Sequence, residues 1–196
     1  PSEPVAIEIK ERKKETWMFH TDEYPRQTSM EKLAKLHPAF KADGMVTAGN
    51  ASGINDGAAA VVLADVDQVD VKPLARLVDY AVTGVDPSYM GLGPIPATKK
   101  LLGKVNLSID DIGLFELNEA FASQSLACIK ELDIDPSIVN VNGSGISLGH
   151  PIGATGAIIT IKLIQEMRRR GVRYGIASLC IGGGQGFSAL FEVDEQ

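Results

Sequence analysis

Near the C-terminus the chain reads Leu179-Cys180-Ile181-Gly182-Gly183-Gly184-Gln185-Gly186, a thiol carried into a glycine-dense turn. An apolar run, Tyr174 to Leu179, leads in, and Phe187, Ala189, Phe191 and Val193 then alternate with Ser188, Leu190 and Glu192. Half-buried returning strands alternate in this way, so the stretch predicts a hairpin with a cysteine at its bend. Glycines this dense let the backbone take positive φ and leave amide N–H groups open to a guest, as an oxyanion requires. The plainer alternative is a tight turn after a buried, inert cysteine.

Two other stretches bring reactive side chains to loops: Asn118-Glu119-Ala120-Phe121 and Gly149-His150-Pro151-Ile152-Gly153-Ala154-Thr155-Gly156. A histidine in such a loop can shuttle a proton, because its ordinary pKa of about 6.5 lies near neutrality. A cysteine serves as nucleophile, or as acid and base, once neighbours or backbone amides stabilise its thiolate. Cys128 falls in the helical pattern Leu126-Ala127-Cys128-Ile129 and reads as core, while His20 and His37 lie in a polar segment and read as exposed. No Cys-x-x-Cys or His-x-x-x-His pair is present, so no metal site is expected.

The elements that must position these groups come from a chain of 196 residues, room for one sizeable domain or one with an appendage. Its 44% hydrophobic and 22% charged content is that of an ordinary globular protein. The longest apolar run, Ala157 to Ile164, is broken by Thr160 and Lys162 and falls short of the roughly 18 residues of a membrane span. A net charge of −6 argues against nucleic acid as the main partner, though not against a phosphorylated small ligand. Two cysteines make no disulfide framework, so reduced thiols and a cytoplasmic compartment are expected. The opening Pro1-Ser2-Glu3-Pro4, without initiator Met or targeting sequence, reads as a beginning in mid-protein.

Residues 1–45 differ from the rest and are expected to form an appendage without its own core. Val5, Ile7 and Ile9 alternate as a short strand, the charged run Lys10 to Glu15 reads as a solvated hairpin tip or a phosphate contact, and Ser29 caps a helix from Met30 to about Leu36. Residues 46–196 are glycine-punctuated α/β. There the pattern predicts a small, polar stretch from Thr47 to Gly57 whose backbone passes close to something, then a buried strand over Ala58–Leu63, helix being the alternative. Further strands are expected over Leu74–Val82 and Ile112–Leu117, a helix over Pro96–Leu102 stopped by Gly103, and a helix over Ala120–Leu132. A short extended piece follows at Ile138–Val141. The helix Ala154–Arg170 is apolar nearly all round at its start, which predicts sheets on two of its sides, with Gly171 as its stop.

Asn118-Glu119-Ala120-Phe121, Gly149-His150-Pro151 and Cys180-x-Gly-Gly-Gly, in that order and separation, resemble the thiolase family. Thr47 to Gly57, Met90-Gly91-Leu92-Gly93-Pro94-Ile95-Pro96 and Val139-Asn140-Val141-Asn142-Gly143 are similar to its acetyl-CoA acetyltransferase branch. The resemblance implies an α/β thiolase fold, a mixed sheet with helices on both faces that is one half of a five-layer αβαβα sandwich. Residues 1–45 then correspond to the end of a loop domain that contacts coenzyme A, and 46–196 to the C-terminal domain.

The implied activity is condensation of two acetyl-CoA to acetoacetyl-CoA, and the reverse thiolysis, with coenzyme A as substrate or product and no cofactor. His150 would activate a nucleophilic cysteine that no residue here matches. Cys180 would move the α-proton, His150 and a water on Asn118 would stabilise the enolate oxygen, and the Gly182 N–H would help hold the tetrahedral oxyanion. Ser52 and Arg26 would contact coenzyme A, with Met90 and Phe121 lining the acyl pocket. The implied partners are acyl-CoA, the missing N-terminal half and further copies of the complete enzyme as dimer or tetramer. The chain alone is then expected to be inactive and to expose a large apolar patch. The alternatives are a catalytically inactive, thiolase-like module that binds coenzyme A, and a ketoacyl synthase, which usually places a histidine where Cys180 stands.

Overall fold

The computed structural model describes residues 5–10, 15–68 and 70–194. Its first elements are short: β1 (Ile7–Ile9) pairs antiparallel with β2 (Trp17–Phe19), and α1 (Met30–Ala34) starts at Ser29, whose Oγ accepts from the Lys32 N–H. No residue of these three elements is buried, so the segment has no core of its own. The phosphate contact expected of Arg12 to Lys14 lies outside the described residues.

The main body continues with β3 (Arg76–Gly84), a 3-10 turn at Pro87–Leu92, α2 (Pro94–Val105), β4 (Leu114–Leu117), α3 (Ala122–Leu132), α4 (Gly145–Leu148), α5 (Thr155–Arg170), β5 (Tyr174–Ile181) and β6 (Gln185–Glu192). The strands form one mixed sheet in the order β3-β6-β5-β4, with β4 and β5 parallel and the other pairs antiparallel. Successive residues of β5 serve opposite faces, as the pleat requires. Ile176 joins Leu101, Phe115, Leu132 and Leu190 beneath α2 and α3, while Ala177 joins Leu114, Ile159, Leu163, Met167 and Phe191 beneath α5. The α/β class with helices on both faces is therefore as expected.

Three expectations need correction. Ala58–Leu63 is no buried strand: it lies outside any strand and is largely exposed, Val62 at 96% and Leu63 at 76%. β-branched composition favours a strand only where a ladder partner is present, and among the described residues this run has none. α2 runs through Gly103 and stops at Asn106, which takes the left-handed conformation at φ 55° and donates its N–H to the Leu102 carbonyl. The stretch at Ile138–Val141 opens as a 3-10 turn, Pro136–Ile138, and only Val139 bridges to Phe115. α5 ends at Gly171 as read; within this chain the sheet covers one of its sides, where Ile159, Leu163 and Met167 are buried, while Ile158, Ile161 and Ile164 on the other side are partly exposed. Apolar side chains also stand exposed on the outer strand β3, at Leu77, Tyr80 and Val82.

Candidate active site

β4 and β5 run parallel with Leu117 opposite Ser178, and the next amide, Asn118 N–H, donates to the Ser178 carbonyl at 3.0 Å. Asn118 and Cys180 consequently leave the sheet at the same end, the carboxyl edge of neighbouring parallel strands, where loops replace the ladder and open α/β sheets bind ligands. Asn118 is 1% exposed.

His150 is delivered to that edge by backbone contacts. Its N–H is shared between the Gly53 carbonyl at 3.1 Å and Asn55 Oδ1 at 3.3 Å, and Ile54 bridges to it in parallel. Gly149 takes φ +96°, and a Cβ there would lie 2.5 Å from the Asn55 side chain, so both conformation and space demand glycine. On the ring, Nδ1 lies 2.7 Å from Thr155 Oγ1, and Thr155 Oγ1 donates to the Pro151 carbonyl at 2.9 Å. A hydroxyl has one proton. With that proton committed to Pro151, Thr155 can only accept, so Nδ1 carries the hydrogen and Nε2 keeps its lone pair. Nε2 faces Asn118 Nδ2 at 3.5 Å, a long contact that leaves the lone pair available. Burial lowers the imidazole pKa below its ordinary value, so the ring is neutral, and able to act as a base, at neutral pH.

Cys180 sits in the last residues of β5, opposite Gly186. Stabilisation of its thiolate was expected; instead burial raises the thiol pKa, and a backbone hydrogen bond offsets this only in part. Beyond it, Gly183 and Gly184 take φ +87° and +91°, and a Cβ on Gly184 would lie 2.3 Å from the Val85 carbonyl oxygen. Gly182 is exposed and has open space around it. The hairpin is thus tight where it packs on Val85 and Gly93 and open at Gly182. Cys128 is buried, donates to the Gly91 carbonyl at 3.4 Å and is pushed up to about 11, mainly by burial.

The polar stretch after Thr47 stitches the motifs together. Ser52 N–H donates to the Ala120 carbonyl at 3.0 Å, Ala122 N–H donates to the Asn50 carbonyl at 2.9 Å, and Ala51 bridges to Phe121. Gly53 N–H donates to the Tyr24 hydroxyl at 2.7 Å, and the Arg26 guanidinium lies over the Tyr24 ring, 5.6 Å from its centroid. Ser52 and Arg26 are therefore gathered on one side of the His150 loop through Tyr24 and Gly53. Phe121 meets the Phe40 ring edge-on, and half-buried Met90 belongs to the 3-10 turn that packs on α3. Tyr24, Asn55, Thr155 and the buried pair Lys162–Glu116 were not singled out by sequence. Lys162 did carry a signal, as a charge inside the longest apolar run. Burial pushes Glu116 up to about 7 against the opposing effect of Lys162, 3.0 Å away. Among the described residues no cluster of three metal-ligating side chains occurs, and no helix is long and apolar enough to cross a membrane.

Two family models match this chain: "Thiolase, C-terminal domain" over residues 71–193 and "Thiolase, N-terminal domain" over residues 2–67. An acetyl-CoA acetyltransferase of Syntrophomonas wolfei is 53% identical over 196 residues, covering 97% of this chain and 49% of that protein. The crystal structure of the Bacillus anthracis acetyl-CoA acetyltransferase superposes with a TM-score of 0.91 at 56% identity, over 97% of this chain and 49% of that one. Human mitochondrial 3-ketoacyl-CoA thiolase, in complex with CoA, superposes with a TM-score of 0.83 at 46% identity, over 91% and 46%. The chain spans about half the length of the relatives it matches.

Proposed function

This chain belongs to the thiolase family, and from that premise we propose that it supplies the proton-handling half of an acetyl-CoA C-acetyltransferase. The observation that carries the reading is the imidazole of His150, neutral, held at Nδ1 by Thr155 and presenting the Nε2 lone pair beside Asn118. A base so placed accepts the proton of a cysteine thiol supplied by the polypeptide that corresponds to the other half of the relatives. That sulfur attacks the acetyl-CoA carbonyl and, on expelling the coenzyme A thiolate, leaves an acetyl-enzyme.

The departing coenzyme A thiolate takes the Cys180 proton and leaves as a thiol. In the condensation step the Cys180 thiolate so formed removes an α-proton from a second acetyl-CoA, whose enolate carbon attacks the acetyl-enzyme carbonyl. Collapse of that adduct returns the nucleophilic cysteine, which recovers its proton from His150. The burial that raises the Cys180 pKa makes the thiolate a strong base and the thiol a stable resting form. The enolate oxygen sits between His150 Nε2, protonated by the first step, and a water held by the Asn118 amide. The Gly182 N–H donates to the oxyanion of the tetrahedral intermediate, a contact whose loss typically costs about 10² to 10³ in rate. Ser52 and Arg26 hold coenzyme A beside Tyr24, and Met90 and Phe121 line the acyl pocket. The complete enzyme is a dimer or tetramer in a reducing compartment, in keeping with free Cys128 and Cys180. We place it in the cytoplasm, although a human relative is mitochondrial.

The test is complementation. This chain is mixed with the first half of the Syntrophomonas wolfei relative, and acetoacetyl-CoA consumption by coenzyme A is followed. Activity that appears on mixing and is lost in both His150→Ala and Cys180→Ala is expected. Activity surviving both substitutions overturns the assignment, and coenzyme A binding without turnover in the mixture points instead to an inactive binding module.

A further inference from the structure

Lys162 lies two turns beyond Thr155 on the same side of α5 and is 8% exposed. Its ammonium donates to Glu116 Oε2 at 3.0 Å and to the Gly143 carbonyl. Glu116, 2% exposed, precedes Asn118 by two residues on β4. Removing both charges from water offsets most of their attraction, and apolar residues of similar volume would serve stability as well. An apolar pair would lack one thing, the bond to Gly143.

That carbonyl belongs to the loop from Asn140 into α4, which is tied to the end of β4. Asn140 accepts from Leu117 N–H and donates to the Leu117 carbonyl, each at 2.8 Å, and Ser144 Oγ donates to the same carbonyl at 3.3 Å. Ile146 N–H donates to Glu119 Oε2 at 3.3 Å. The loop is seated directly against the Asn118 amide: a Cβ on Gly145 would lie 3.1 Å from Asn118 Oδ1 and 2.8 Å from the Glu119 carbonyl oxygen. Asn118 Oδ1 is buried with no protein hydrogen-bond partner among the described residues, so on that side the chain holds the amide by the packing of Gly145. Lys162, Asn118, Ser144, Gly145 and Thr155 line one cavity of about 20 Å³.

We propose that Lys162 is a positioning residue for the candidate site: by holding the Gly143 carbonyl toward β4 it keeps Gly145 packed behind Asn118, so that Asn118 Nδ2 stays aimed at His150 Nε2. The role rests on the reading of Asn118 and His150 as the groups that receive the enolate oxygen. Lys162 touches neither substrate nor reacting atoms and acts through the loop alone.

The experiment uses this chain, with the Asn118 side-chain amide resonance and amide hydrogen exchange of Ile146 and Leu148 as readouts. Lys162→Met by itself strands a buried carboxyl group, so the decisive variant is Glu116→Met/Lys162→Met, whose apolar pair keeps the core filled. In that variant the Asn118 resonance moves and exchange at Ile146 and Leu148 rises at least about tenfold, the loss expected for a charge-assisted hydrogen bond. Glu116→Gln, which retains the Gly143 contact, leaves both readouts unchanged. An unmoved Asn118 resonance in the double variant overturns the proposal, and so does an equal response in Glu116→Gln, which would assign the effect to the ion pair. In the complemented enzyme the double variant lowers kcat with KM unchanged. If the unsubstituted mixture lacks activity, it is the functional reading that fails, while the resonance and exchange data still decide the role of Lys162.

Discussion

Thr155→Val removes one hydroxyl and almost none of the side chain's volume, so its consequence can be worked through atom by atom. Thr155 is buried at the start of α5, and its oxygen accepts from His150 Nδ1 at 2.7 Å while donating to the Pro151 carbonyl. That carbonyl keeps the Ala154 and Thr155 N–H donors at 2.8 and 2.9 Å after the substitution, so the loss falls on the imidazole alone. A neutral hydrogen bond contributes about 1 kcal/mol net, which corresponds to roughly a fivefold shift in the ratio of the two ring tautomers toward Nε2–H. The imidazolium also loses its acceptor at Nδ1, so a pKa already lowered by burial moves further down. Long-range ¹⁵N–¹H correlation of the imidazole at pH 8 reads the tautomer directly. Expected are Nδ1–H in the unsubstituted chain and in Thr155→Ser, and a mixture in Thr155→Val, whose thermal midpoint falls by about 2 to 4 °C. A proton already on Nε2 in the unsubstituted chain would refute the geometry on which the base assignment rests.

Alkylation by iodoacetamide, followed by intact mass, should be slow at pH 7 for Cys180 and rise only above the ordinary thiol range, with Cys128, pushed up to about 11, slower still; half-maximal labelling of Cys180 below that range contradicts the burial argument. Gly186→Ala would place a Cβ 1.9 Å from the Gly93 carbonyl oxygen, backbone against backbone, and should cost about 3 kcal/mol or more, whereas Gly182→Ala meets nothing within 4 Å and should stay within about 0.5 kcal/mol. Equal denaturation midpoints for these two variants would sink the packing account of the hairpin. Glu192, buried at the end of β6, bonds Arg76 and Arg173, and the Arg76 hydrogen bond leads in holding its carboxyl below the ordinary value. Such a group contributes stability above the unfolded pKa and loses it as pH falls through the folded one. Glu192→Gln should therefore be less stable than the unsubstituted chain at pH 7, with the gap closing at acid pH; a gap unchanged by acid indicates that charge is not its origin.

The sequence made the sheet and its helices legible wherever an element satisfies itself. Tyr174 to Val193 shows the strand period because both strands of the hairpin are present, and α5 shows its stop because Gly171 is there to take φ +68°. Ala58–Leu63 misled because a β-branched run reports only the wish for a ladder, and the ladder partner is a property of the rest of the molecule. Gly103 misled as a helix stop because glycine in an exposed helical position costs only about 1 kcal/mol, less than the packing of Leu101 and Leu102 returns. α5 shows its apolar surface in composition, but only the side bearing Ile159, Leu163 and Met167 is covered by this chain's own sheet.

At the site, the reactive side chains were legible and what holds them was not. Asn118, His150 and Cys180 advertise themselves through residue type and glycine-rich surroundings. The bonds that bring their loops together come chiefly from main-chain groups, Ser52 N–H to Ala120, Ala122 N–H to Asn50 and His150 N–H to Gly53, and main chain is the same at every position. The only trace such contacts leave is a demand for small residues where backbones meet, which Gly53 under the Tyr24 ring and Gly149 over Asn55 both show. Residues matched by the N-terminal family model thus hold groups matched by the C-terminal one. Tyr24, pinning Gly53 through its hydroxyl, therefore fixes His150 from the far side of the sequence, as Thr155 does from the near side. A histidine restrained at its backbone by one segment and at its ring by another has one position and one tautomer available, which is what a base acting at a single atom needs.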